Sequence, residues 1–433
     1  MESLIIEGKR TLRGRVRISG SKNISLPLIA ASLLTEEPVV IEDVPYLQDV
    51  HIMKDILSEF GIEIDHQKGT LHLDASKVNR FTASYSLLNQ IRASILLLGP
   101  LLARFGRANI SLPGGCNIGS RPIDLHLKGL SAMGAKFIHG NGFIEAGSSR
   151  LSGSHIFLDF PSVGATENIM MAATLAEGET VIENAAQDPE VIELARFLVS
   201  MGAIISGAGT DTIRIKGVSS LKGTRYRVIP DRIEAGTYMI AASIAGDGVI
   251  VENVLVDHLK PLMDKLSEAG IELLEVKSGE VRVSPPSTIK AVDIKTTPYP
   301  GFPTDLQPPF SSLIAQAQGV GIISETVFKN RFKHVEGLIR MGADIQVNSQ
   351  NLTVKGTQNL RGNIVQAFDL RGAAALVLAA LAAKGKTEIQ EPQHLDRSYE
   401  DMELKINNLG GNIYRTKHER VLDIDRRIMN SQG

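Results

Sequence analysis

The chain has 433 residues, of which 43% are hydrophobic and 22% charged, with a formal net charge of −2 and a single cysteine. This composition excludes a disordered or collagen-like chain, the length asks for two cores of roughly 200 residues rather than one, and the balanced charge leaves no nucleic-acid footprint. One cysteine excludes an internal disulfide and points to a reducing cytoplasm, no apolar run is long and uncharged enough to span a bilayer, and residues 1–8 lack the basic start and apolar stretch of a secretion leader.

In chain order, Ala- and Leu-rich segments predict helices over 24–34, 93–103, 166–176, 235–245, 309–317 and 373–383, apolar nearly all round and therefore buried. A short β-branched strand follows, as at 180–182 and 249–251, and then a second helix ending apolar-x-x-apolar-Gly before a small or β-branched residue. These endings fall at 57–62, 130–135, 198–203, 266–271, 338–343 and 406–411, and their glycines, Gly61, Gly134, Gly202, Gly270, Gly342 and Gly410, are spaced by 73, 68, 68, 72 and 68 residues. Glycine just past a helix takes the left-handed conformation without a Cβ clash. Six repeats, three per domain, give an α/β (α+β) protein whose helices form a buried ring inside sheets.

The starts of the six buried helices carry unsatisfied N–H groups and a positive dipole end. Lys22 and Asn23 open the first, Arg92 the second, and Ser162, Val163 and Gly164 the third; Asp231, Arg232 and Glu234 open the fourth, Thr304 and Asp305 the fifth, Asp369 and Arg371 the sixth. Repeats packed about an axis would gather these starts at one end of each domain, and two such ends face to face would make a cleft suited to an anion such as phosphate. Any one of Asp231, Asp305 and Asp369 taken alone reads first as a helix cap; the arginines could be surface ion-pair partners, though a base beside buried helices needs a partner or a ligand.

Between a strand and a helix starting near Asp124, residues 113–122 form a loop with Gly114, Gly115, Gly119 and the only cysteine, Cys116. Cys116 is either a small buried hydrophobe or, five residues before Arg121, a partly exposed thiol of lowered pKa. Gly20, Ser21 and Lys22 do not complete a phosphate loop, and Gly207 with Gly209 lacks the third dinucleotide-binding glycine. The ten histidines show no metal-ligand spacing, and His126 reads as a hydrogen-bonding scaffold residue.

From Gly20-Ser-Lys22-Asn23 to His394-Leu-Asp396-Arg397 the chain resembles the UDP-N-acetylglucosamine enolpyruvyl transferases (1-carboxyvinyltransferases) of the EPSP synthase family. Its strongest pieces are the 113–122 loop with Asp124 and His126, Ser162-Val-Gly-Ala-Thr166, Pro230-Asp-Arg-Ile-Glu234, Phe302-Pro-Thr-Asp305, Glu325-Thr-Val327 and Asn330-Arg331-Phe332. The resemblance implies a two-domain inside-out α/β barrel of six βαβαββ-type repeats. One domain would span 22–229 and carry the cysteine loop. The other, discontinuous, would join 1–21 to 230–433, with the active site in the cleft between them.

By the same resemblance the enolpyruvyl group of phosphoenolpyruvate passes to the 3′-hydroxyl of UDP-N-acetylglucosamine, with release of phosphate, as the first committed step of bacterial peptidoglycan synthesis. No cofactor and no metal are implied, and the partners are these small molecules rather than nucleic acid or membrane; the oligomeric state stays open. Cys116 would donate a proton, form the family's covalent phosphoenolpyruvate adduct and be the target of the epoxide fosfomycin, while Asp305 would help deprotonate the sugar hydroxyl. Lys22, Arg121 and Arg397 would hold the phosphate, with Asn23 beside it and in contact with the sugar, and Arg331 and Arg371 would meet the carboxylate or stabilise the closed cleft. Arg92 would face the anionic part of the nucleotide sugar, Arg121, Pro122, Ile123, Asp124 and Leu125 the uridine, Ser162, Val163 and Gly164 the diphosphate, and Val327 the sugar. The chain departs from its relatives in carrying Phe160 and Pro161 near a diphosphate-binding lysine position, Asp188 for glutamate, and Pro308-Pro309 after Asp305. The shikimate 3-phosphate enzyme shares the fold but lacks this cysteine loop; a non-catalytic nucleotide-sugar sensor is the rival of another class.

Overall fold

The structure, a computed structural model, describes residues 2–111, 123–140, 142–357 and 359–417. Its contacts divide the chain into two compact units, one of residues 19–231 with 298–301 and the other of 1–18, 232–297 and 302–433. Each has its own apolar core, built between Ile24 and Val228 in the first and from Leu4 to Ile18 and Ile233 to Ile413 in the second.

All six glycine endings form the same cap. The φ angles of Gly61, Gly134, Gly202, Gly270, Gly342 and Gly410 lie between 92° and 103°. Each glycine N–H bonds the carbonyl three residues back, and the next N–H bonds the carbonyl five back, as in Gly202 to Val199 and Ala203 to Leu198, at 2.9–3.2 Å throughout. This double bond satisfies two of the carbonyls a helix end leaves bare. A Cβ built on Gly202 meets nothing within 4 Å, so only backbone strain opposes a side chain there. Gly202→Ala is therefore expected to cost about 1–2 kcal/mol, read as a lower denaturant midpoint at unchanged slope; a neutral result would remove the left-handed requirement.

The buried helices are present but start earlier than their apolar runs indicate. They span Lys22–Ala31, Leu98–Phe105 after a 3₁₀ stretch Arg92–Leu97, Val163–Ala173, Arg232–Ala245, Gln307–Ile314 after a 3₁₀ turn Thr304–Leu306, and Leu370–Ala382. Polar capping residues draw the starts upstream, since the Ser162 hydroxyl accepts from the Ala165 N–H and the Asp369 carboxylate from those of Arg371 and Gly372. The second helix begins as 3₁₀, and Pro100 falls in the first turn of its α-helical part, where no N–H is needed. Pro308 and Pro309 sit in the first turn of the fifth, where no N–H is needed.

Each repeat adds a small sheet. Five of the six described sheets have four strands: a leading strand runs parallel to the strand after the buried helix, and two antiparallel strands complete the sheet, as a hairpin in four of the five. The leading strands of the first and fourth repeats are exchanged: Arg15–Arg17 pairs with Val249–Glu252, and Arg225–Arg227 with Val39–Glu42. In the last sheet Glu2–Glu7 lies between Lys386–Gln390 and Ile413–Lys417, supplying from the N-terminus the final strand of the sixth repeat.

Candidate functional site

The predicted site residues fall in both units. In the unit of residues 19–231, Lys22 is the first residue of its helix and buried; its backbone N–H donates to Asp231 Oδ2 at 3.3 Å, and its Nζ lies 3.2 Å from Asp49 Oδ2. Asp231 thus serves the start of the first repeat's helix. Asn23 beside it is half-buried. Cys116, Arg121 and Pro122 lie outside the described residues; Ile123 is buried, Leu125 half-buried and Asp124 exposed at the head of the helix Asp124–Ala132.

Arg92, at its 3₁₀ start, acts on a buried imidazole. The Gly99 N–H donates to Asn168 Oδ1 at 2.7 Å, and Asn168 Nδ2 donates to the Ile95 carbonyl at 2.9 Å. These backbone partners fix the amide orientation, so Nδ2 also donates to His126 Nδ1, 3.0 Å away, and the imidazole proton sits on Nε2. Burial, reinforced by the Arg92 charge, pulls the His126 pKa down to about 3, leaving a neutral donor. Its ring edge rests on Gly164, where a Cβ would come within 3.2 Å of Cε1. His126 is therefore a scaffold joining the second and third helix starts. At Glu167, one turn further along and buried with Oε1 unpartnered, burial and then Glu190 and Asp188 push the carboxyl well above the usual carboxylate range.

In the other unit the three predicted residues Asp305, Arg331 and Arg371 come together. Arg331 Nη2 donates to Asp305 Oδ1 at 2.6 Å; Arg371 Nη2 and Nε donate to Oδ2 at 2.9 and 3.1 Å. The guanidiniums are 2% and 3% exposed, against 25% for the carboxylate. The Phe328 ring lies 5.7 Å from Arg331 Cζ and the Tyr399 ring 5.5 Å from Arg371 Cζ, at cation–π range. The three aspartates that the sequence leaves readable as caps therefore differ. Asp369 caps its own helix, Asp231 the helix of Lys22, and Asp305 is held by two arginines.

The side chain that sets this geometry carries no role in the sequence reading. Glu325, 1% exposed, accepts on Oε1 from Thr296 Oγ1 (2.9 Å), Val327 N–H (2.8 Å) and Phe328 N–H (3.0 Å), and on Oε2 from Thr304 Oγ1 (2.9 Å). It ties the residue before Asp305 to the loop of Val327 and Arg331. His334 beside them is neutral: burial draws its pKa to about 4 despite Asp369, with Arg331 adding to the fall. Arg397, half-buried, follows Asp396, which Arg415 grips along with Glu403 and Glu2. Among the described residues no three His, Cys, Asp or Glu side chains are grouped to hold a metal, and no helix is long and apolar enough to cross a membrane.

Residues 6–406 match the sequence profile of EPSP synthase (3-phosphoshikimate 1-carboxyvinyltransferase). The chain belongs to the EPSP synthase family. Among family members it is 52% identical to UDP-N-acetylglucosamine 1-carboxyvinyltransferase 1 of Caldanaerobacter subterraneus subsp. tengcongensis over 95% of this chain and 99% of that protein. It is 49% identical to the UDP-N-acetylglucosamine 1-carboxyvinyltransferase of Geotalea uraniireducens over 96% of this chain and 100% of that one. The solved enolpyruvyl transferase NikO of Streptomyces tendae superposes with a TM-score of 0.89 at 27% identity, covering 96% of this chain and 99% of NikO. EPSP synthase of Acinetobacter baumannii, at 0.75 and 20% identity over 96% and 100%, shares the fold.

Proposed function

We infer that this protein transfers the enolpyruvyl group of phosphoenolpyruvate to the 3′-hydroxyl of UDP-N-acetylglucosamine, releasing phosphate, in the cytoplasm and at the entry to peptidoglycan synthesis. Near-complete coverage at about half identity by relatives bearing that activity's name carries the reading. Cys116 gives its thiol proton to the methylene carbon, and the neighbouring carbon becomes electrophilic. The sugar oxygen adds there while its proton passes to Asp305, and the adduct then loses phosphate and a methyl proton to restore the double bond. Each transfer needs an acid or base held in reach.

Lys22, Arg121 and Arg397 hold the phosphate with Asn23 beside it, and Arg331 and Arg371 the carboxylate; preorganised cations of this kind stabilise charge that develops in the transition state. Arg92 and the start at Ser162, Val163 and Gly164 serve the diphosphate, residues 121–125 the uridine, and Val327 the sugar. The neutral Nε2–H of His126 stiffens the Gly164 end without adding charge. Phosphate should appear from phosphoenolpyruvate with UDP-N-acetylglucosamine and not with shikimate 3-phosphate. The reverse preference would overturn the acceptor, and release with neither would favour a nucleotide-sugar sensor.

A further inference from the structure

We propose that Asp305 occupies the place between Arg331 and Arg371 that the carboxylate of the enolpyruvyl donor takes, so that the two carboxylates exchange and the donor's arrival frees Asp305 to act as base. This deepens the reaction assigned above and rests on it. Each Asp305 oxygen faces a different guanidinium, the bridging arrangement that a small carboxylic acid can reproduce. Both arginines are almost wholly buried and braced by aromatic rings, whereas Asp305 is a quarter exposed on a single 3₁₀ turn, so the carboxylate is the member with room to move. Arg331 Nε is buried and unpartnered, which leaves the fork one bond short of its capacity for a planar anion.

Among the described residues, the nearby side chains Asp369, Glu325 and His334 are not placed to stand in when Asp305 leaves. The Asp369 carboxylate accepts from the Arg371 and Gly372 N–H groups, Glu325 from four donors, and His334 is neutral. Two buried guanidiniums without an anion are costly, so departure of Asp305 is coupled to entry of another carboxylate. Until then both Asp305 oxygens accept from guanidiniums. The acceptor hydroxyl is thus left protonated unless the donor is in place.

Calorimetric titration of the full chain and of Asp305→Asn with phosphoenolpyruvate, pyruvate and inorganic phosphate tests the exchange. Removing an internal competitor raises apparent affinity by the reciprocal of the open fraction; the variant should bind both carboxylates about ten-fold more tightly and phosphate within about two-fold of native. Equal gains for all three would reduce the effect to charge relief and overturn the exchange, as would unchanged or weaker carboxylate binding. A second measurement stands apart from the fold of that variant. In the native chain with carboxyl-¹³C aspartate, pyruvate but not phosphate should shift one signal, identified as Asp305 by its loss in Asp305→Glu; no such shift overturns the proposal. Phosphate release with UDP-N-acetylglucosamine is scored separately on native protein. Release without the carboxylate gain removes the exchange and leaves the reaction, and the gain without release does the opposite.

Discussion

Glu325→Ala is expected to lower the stability of its unit by about 4 kcal/mol, since each of four stranded donors costs about 1–3 kcal/mol and the two threonine hydroxyls can turn to other partners. Calorimetric unfolding checks the loss. Turnover should fall as well, because Thr304 and the loop of Val327 and Arg331 no longer share an anchor. Glu325→Gln keeps an oxygen for the two backbone N–H groups, and the Thr304 hydroxyl can turn to accept from its amide; it should recover most of both properties. Native stability in Glu325→Ala would show that these segments are held by something other than this carboxylate.

Cys116→Ser should reduce kcat by about 10²–10⁴-fold, the usual contribution of a positioned general acid, because a hydroxyl is a far weaker acid than a thiol. Cys116→Asp, an acid of similar reach, should stay active. Alkylation needs the thiolate; fosfomycin with UDP-N-acetylglucosamine should therefore add to the native chain at Cys116 and leave the aspartate variant active and unlabelled. An adduct at any other residue, or full activity in Cys116→Ser, would return the cysteine to a small packing residue.

The repeat was legible because each cap is local: four helical residues and a glycine determine it, and all six positions carry the bond pair their spacing indicates. Helix starts were less legible, since capping hydroxyls and carboxylates extend the helix beyond the apolar run. Which aspartate caps and which does other work could not be read from type and position, because the deciding partners are distant: Arg331 lies 26 and Arg371 66 residues from Asp305. Glu325 stood in the motif Glu325-Thr-Val327 but its anchoring role was illegible for the same reason, its threonine partners standing 29 and 21 residues away. Chemical roles, from the thiol acid to the phosphate-binding bases, came from the resemblance; periodicity alone reached only clustered helix starts and a preference for anions.

The strand Glu2–Glu7 lies inside a sheet whose other members begin at Ile364, so a stretch made early pairs with strands that follow it by hundreds of residues. At about 5–20 residues per second, the ~380 residues in between take roughly 20–80 s to make. Through that interval Leu4, Ile5 and Ile6, all buried in the finished protein, wait without partners, flanked by Glu2, Glu7, Lys9 and Arg10. Those charges act as gatekeepers against pairing with a wrong edge. The unit of residues 19–231 needs nothing beyond its own span for the sheet that Arg225–Arg227 completes, and can consolidate during synthesis. Assembly order is thereby written into the circuit of the strands, and Glu2–Glu7 is what makes one unit wait for the strands Lys386–Gln390 and Ile413–Lys417.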